Sequence, residues 1–140
     1  MPVRSFRYQK HFTVEQANRM LPLVKAIVQD ICALGAEIQQ RQHRLAHLEN
    51  ERQSACDAEE RERLVDQLDR DAAQLEEYLR ELHGLGVEFK GWEGLVDFPA
   101  LLHGREVFLC WKLGEPEVAH WHDLDAGFAG RRKLQLPTSS

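Results

Sequence analysis

At 140 residues the chain has the length of one domain, 1–140, and can bury a sizeable core without disulfides or a structural metal. Its formal charge of −5 argues against nucleic acid and anionic membrane as partners, since both reward a net basic surface. Cys32, Cys56 and Cys110 are an odd number at unrelated spacings, which excludes a disulfide framework and C-x-x-C metal spacing.

The chain starts with a short basic segment, Met1 to His11, in which Phe6 and Tyr8 alternate with polar residues as an edge strand or a solvated tail would. It has no apolar h-region, and no later run is long enough to span a bilayer, so a reducing, cytoplasmic setting is expected. Thr13 then reads as a helix N-cap, with Gln16 completing a capping box. From Ala17 through Leu21, Val24, Ile27, Val28, Ile31 and Ile38 to Leu48, apolar residues recur in steps of three and four. This predicts a helix over 13–53. Pro22 removes one backbone bond and predicts a kink or a joint near Arg19–Leu21. Gly35 permits close packing.

Between Gln39 and Glu62 charge replaces the stripe, which resumes at Leu64, Leu68, Ala72, Leu75, Leu79 and Leu82. Extending the first heptad frame would bury Glu59, Glu62, Asp66 and Asp69 and expose the leucines, which is unfavourable. The second run therefore needs its own frame, and the chain must turn. The turn is expected at Ser54 to Asp57, with Asp57 as N-cap of a helix over 57–83. The result is an antiparallel, coiled-coil-like hairpin with Ile38 near Ala72 and Leu45 opposite Leu64. At its base, Met20 to Ile31 offer more apolar surface than one helix can cover, and require either a sheet or a second copy of the chain.

Glycines at 84 and 86 end the second helix. A β-meander over 87–122 follows, with strands at Val87–Lys90, Leu95–Phe98 ended by Pro99, Glu106–Lys112 and Glu117–His122. The last pair is joined by a turn at Leu113–Pro116. Residues 123–140 read as loop and tail, frayed at Pro137–Ser140. The fold class is α+β: a long antiparallel helical hairpin packed on a small C-terminal antiparallel meander.

The chemistry concentrates in EVFLCWKLGEPEVAHWHDLDAGF, residues 106–128, with two tryptophans, a cysteine, a His-x-His and five carboxylates. On a strand His120 and His122 share a face and can take adjacent positions on a divalent transition metal, zinc or iron. Glu115, Glu117, Asp123 and Asp125 are near in sequence, and Cys110 is on the partner strand. The bland alternative is a pair of histidines hydrogen-bonded to those acids. Cys110 with a histidine also has the composition of a thiolate–imidazole pair, although a buried strand cysteine is more often packing. His43 and His47 share a helix face with no acid placed to complete a set. No helix carries the Glu-x-x-His of a di-iron bundle, and no P-loop, dinucleotide or nucleophile-elbow motif is present. Trp92, Trp111 and Trp121, with Cys110, are candidates to line a small-molecule pocket or to fill the core. Arg131 and Arg132 beside Gly127–Gly130 suit a carboxylate or phosphate.

Phe12–Asn18, Leu21-Pro22-Leu23, Leu85–Lys90, Leu95–Ala100 and above all Leu109–Gly130 together resemble a bacterial family known as domain of unknown function 2203. The resemblance covers nearly the whole chain except the polar tip, Gln39 to Glu62. It implies a helical hairpin plus a small β-region in a cytoplasmic bacterial protein, and it carries no activity. Glu88, Asp97, Glu115, His122 and Gly130 match the family pattern, whereas position 120 is often aromatic there. The resemblance therefore shifts the metal set toward His122 with Glu88, Asp97 or Glu115.

Three functional readings follow. The first is a non-catalytic binding or assembly protein, a homodimer or higher oligomer through helix 1, with the acidic arm free for a protein partner. The second is a metal-binding protein with a His/carboxylate site, and the third a tryptophan-lined ligand pocket. With no complete catalytic set legible, the reading leans away from an enzyme.

Overall fold

The computed structural model describes residues 5–50 and 55–135. Helix α1 spans Val14–Asn50. Its start is a reciprocal capping box: the Gln16 amide donates to Thr13 Oγ1 and the Thr13 amide to Gln16 Oε1, both at 3.0 Å. Pro22 lies inside α1 and does not divide it. Leu21 and Val24, on either side, are both buried in one core, which holds the chain helical across the missing bond.

Helix α2 spans Ala55–Gly84, so Asp57 sits in its first turn instead of capping it. Of the expected turn at Ser54 to Asp57, Ala55 to Asp57 are helical and Ser54 lies outside the described residues. The two helices run antiparallel, as cross-helix ion pairs show: Arg41 meets Asp71 at 2.6 Å, and Arg44 meets Glu60 through two bonds of 2.8 and 3.1 Å. Asp71 is buried, and its carboxylate is satisfied by Arg41 and by Gln67 Nε2 at 2.9 Å. Ile38 and Ala72 line one groove between the helices.

Five strands follow: β1 (Glu88–Gly91), β2 (Leu95–Leu102), β3 (Arg105–Lys112), β4 (His120–Asp123) and β5 (Arg132–Lys133). They form one antiparallel sheet in sequence order. Three features depart from the sequence expectation. First, β2 runs through Pro99. The Pro99 carbonyl accepts from the Phe12 amide at 2.7 Å, so this residue's backbone polar groups face the N-terminal segment and not β3. The missing N–H costs no bond to β3.

Second, Glu117–Ala119 are not strand. Asn18 of α1 reaches across and acts as a one-residue partner: Val118 N–H donates to Asn18 Oδ1 at 2.6 Å, and Asn18 Nδ2 donates to the Val118 carbonyl at 3.2 Å. This lengthens the β3–β4 connection and shifts its register. A four-residue turn at Leu113–Pro116 would set His122 opposite Val107, whereas His122 pairs with Phe108. A slip of one residue exchanges the faces of a strand. Third, the expected tail supplies β5, paired to β4 through His120↔Lys133 and Trp121↔Arg132.

The sheet's inner face carries Val96, Phe98, Ala100, Val107, Leu109 and Trp111 into a core with Ala17, Leu21, Val24, Val28 and Ile31 of α1 and Leu82 of α2. The sheet thus covers the surplus stripe at the base of α1. Each buried Val, Leu or Ile contributes about 1.5–3 kcal/mol relative to exposure. Trp111 is wholly buried and donates its indole N–H to the Glu115 carbonyl at 3.0 Å.

Candidate metal centre

Opposite residues in an antiparallel ladder share a face. The register Glu88↔Asp97, Asp97↔Cys110 and Cys110↔His120 therefore lays a row of donors across the outer face, with Phe108↔His122 in the next row. Cys110, one strand in from each, has a small side chain. His122 Nε2 reaches past it to Asp97 Oδ1 at 2.9 Å. One ligand atom each from Asp97, Cys110 and His122 lies within 4.8 Å of the other two, and all three residues are buried.

The protonation of this cluster follows from its partners. His122 Nδ1 lies 2.7 Å from the Asp123 carbonyl, which can only accept, so Nδ1 carries a hydrogen. Nε2 and Asp97 then share a single proton across their bond. Burial raises the Asp97 carboxyl above its ordinary range, against the opposing pull of His122 and Lys90. Burial, reinforced by the Asp97 charge, pushes the Cys110 thiol up to about 11. In the absence of a cation the cysteine is therefore a neutral thiol. A cavity of about 230 Å³, bordered by Lys90, Leu124, Gly127 and Phe128, opens onto the three donors.

The five metal candidates from the sequence do not converge. His122 meets Asp97 at 2.9 Å and His120 lies near Glu115 at 3.9 Å, as two separate pairs. Glu115 is taken by the Arg131 fork at 3.0 and 2.5 Å and by the Lys112 amide at 2.8 Å. Burial would raise its carboxyl, but the Arg131 and Lys112 bonds outweigh it and hold Glu115 below the usual range. His120 Nδ1 lies 3.9 Å from Glu115, on that side of the face. Glu88 accepts from the Tyr8 hydroxyl at 2.5 Å and has Lys90 at 3.6 Å. Burial, then Glu88, pushes Tyr8 up to about 12. His43 and His47 are both exposed on α1.

Nor do the tryptophans share a pocket. Trp111 is core, on the face away from Cys110. Trp92 is 57% exposed and lies on α1 where Gly35 leaves room: a Cβ there would stand 2.5 Å from the indole. Trp121 lines a separate cavity beside Arg132. Cys110 was expected on the partner strand of the histidines, but its approach to Asp97 was not. Its signal was the alternation along β3, which sets Phe108 and Cys110 on the face opposite the leucine and tryptophan.

A loop-covered donor cluster on the outer face of a hairpin-backed sheet is the feature this fold sets apart. The family model described as an uncharacterized conserved protein (DUF2203) matches residues 10–134, and the chain belongs to that family. No curated protein and no solved structure matches the chain. Among the described residues, no helix is long and apolar enough to cross a membrane.

Proposed function

We propose that the chain binds a divalent transition metal, zinc foremost, through Asp97, Cys110 and His122. The observation that carries this reading is the convergence of one oxygen, one sulfur and one nitrogen donor on a buried point. His122 is already oriented as a ligand: Nδ1–H is tied to a backbone carbonyl, which aims Nε2 at the cluster. Tetrahedral zinc needs donors roughly 3.3–3.6 Å apart, given bonds of about 2.0–2.3 Å. The three ligand atoms already lie within 4.8 Å of one another, so a bound zinc would draw them closer by little more than about 1 Å. The cation would displace the proton shared by His122 and Asp97 and the thiol proton of Cys110, so uptake would release protons. Three protein ligands leave a fourth position, which faces the 230 Å³ cavity and admits water or a small ligand.

Elemental analysis of untagged protein tests this reading. About one equivalent of zinc, lost in Cys110→Ser and His122→Ala, is expected. Less than about a tenth of an equivalent of any transition metal, unchanged by these substitutions and by added zinc, would sink it.

Assembly through α1 is the second reading, and it rests on a different surface from the one the stripe suggested. The groove lined by Ile38, Leu68, Ala72 and Leu75 lies beside the exposed Trp92, and a second copy of the hairpin would cover it. Light scattering tests it. A strict monomer at high concentration would exclude it.

A further inference from the structure

The inner face of the sheet bears a second cavity, which the metal reading does not use. Register places Leu102, Arg105, Val107, Trp121 and Arg132 on one face. With His103, Lys133 and Leu134 they surround about 640 Å³, and neither helix contributes to the wall. The floor is apolar; the rim is basic, and no carboxylate lines it. In a chain of net charge −5 this local excess of positive charge runs against the average.

These groups are not spent on internal partners. Arg105 is paired with Asp123. Among the described residues, however, the His103 side chain has no hydrogen-bond or ion-pair partner, and Arg132 makes only a ring contact, 5.7 Å from the Trp121 centroid. The tight β2–β3 turn places His103 at the rim with φ 53°, followed by Gly104 at φ 80°. The volume falls within the roughly 300–1,000 Å³ of small-molecule sites and is too small for a macromolecular partner.

We infer that this cavity binds a small aromatic phosphate. The flat body would lie against Trp121, Leu102 and Leu134. The phosphate would meet the guanidinium fork of Arg132 and the ring of His103, with Arg105 on the same face. Two guanidinium groups and a ring nitrogen suit three terminal oxygens better than the two of a carboxylate.

Amide and indole chemical shifts of the full, isotope-labelled chain test this. Phenyl phosphate and adenosine 5′-monophosphate are the probes, with inorganic phosphate and adenosine as the halves. Saturable shifts at the Trp121 indole and at Arg132 and Lys133 are expected, with either probe at least about tenfold tighter than either half. Arg132→Gln should weaken binding at least about tenfold. His103→Asn, which keeps the left-handed turn and so the fold, should weaken it severalfold. Shifts that fail to saturate, that map elsewhere, or that neither variant alters would overturn the inference. No metal is needed, so failure here leaves the metal centre standing.

Discussion

The two faces of the sheet are built by different rules. The inner face is apolar and repetitive: Val96, Phe98, Ala100, Val107, Leu109 and Trp111 alternate outward from the backbone and are buried against α1. The outer face buries Asp97, Cys110 and His122 under loops, with hydrogen bonds to His122 added to the packing of its ring on Phe108. Many interchangeable contacts hold the first. A few specific ones hold the second, so it can lose a function without losing the fold.

The largest effect should come from the inner face. Trp111→Ala removes the biggest wholly buried side chain, and should cost about 3–5 kcal/mol in urea denaturation. Next is Asn18→Ala, which strips Val118 of both backbone partners and should cost about 1–3 kcal/mol. It should also loosen the β3–β4 connection, seen as faster amide exchange at Val118. Cys110→Ser sharpens the contrast: it should change metal-free stability by less than about 1.5 kcal/mol while abolishing zinc uptake. A Cys110→Ser loss as large as that of Trp111→Ala would erase the distinction between the faces.

The smallest effect concerns the N-terminal segment. Glu106 accepts from the amides of Arg7 and Tyr8 at 2.8 and 2.9 Å and meets His11 at 2.8 Å. Burial tends to raise its carboxyl, but bonds from His11, Tyr8 and Arg7 prevail and hold it below the ordinary range. A depressed carboxyl stabilises above its unfolded value and loses that contribution as pH falls through the folded value. Exchange protection at Arg7 and Tyr8 should therefore persist at neutral pH and disappear below the ordinary glutamate range. Protection unchanged in acid would remove Glu106 as the clamp.

The same contrast explains what could be read from residues alone. The capping box at Thr13 and Gln16 and the out-of-step leucine stripes are local and periodic, so the hairpin on a sheet was legible. The extent of β2 beyond Pro99, the short β4 and the added β5 were not. Each depends on a partner far away in sequence: Phe12 for Pro99, Asn18 for Val118, and His120 and Trp121 for β5. The site inherited that difficulty. Asp97 and His122 were both marked, but Glu115 was claimed by Arg131 and Glu88 by Tyr8, and neither pairing has a periodic signature.

Zinc-edge X-ray absorption of the loaded protein would test the metal centre most directly. One sulfur at about 2.3 Å with nitrogen and oxygen at about 2.0–2.2 Å, the sulfur vanishing in Cys110→Ser, is the predicted result. A shell of nitrogen and oxygen alone, the same with and without Cys110, would contradict it.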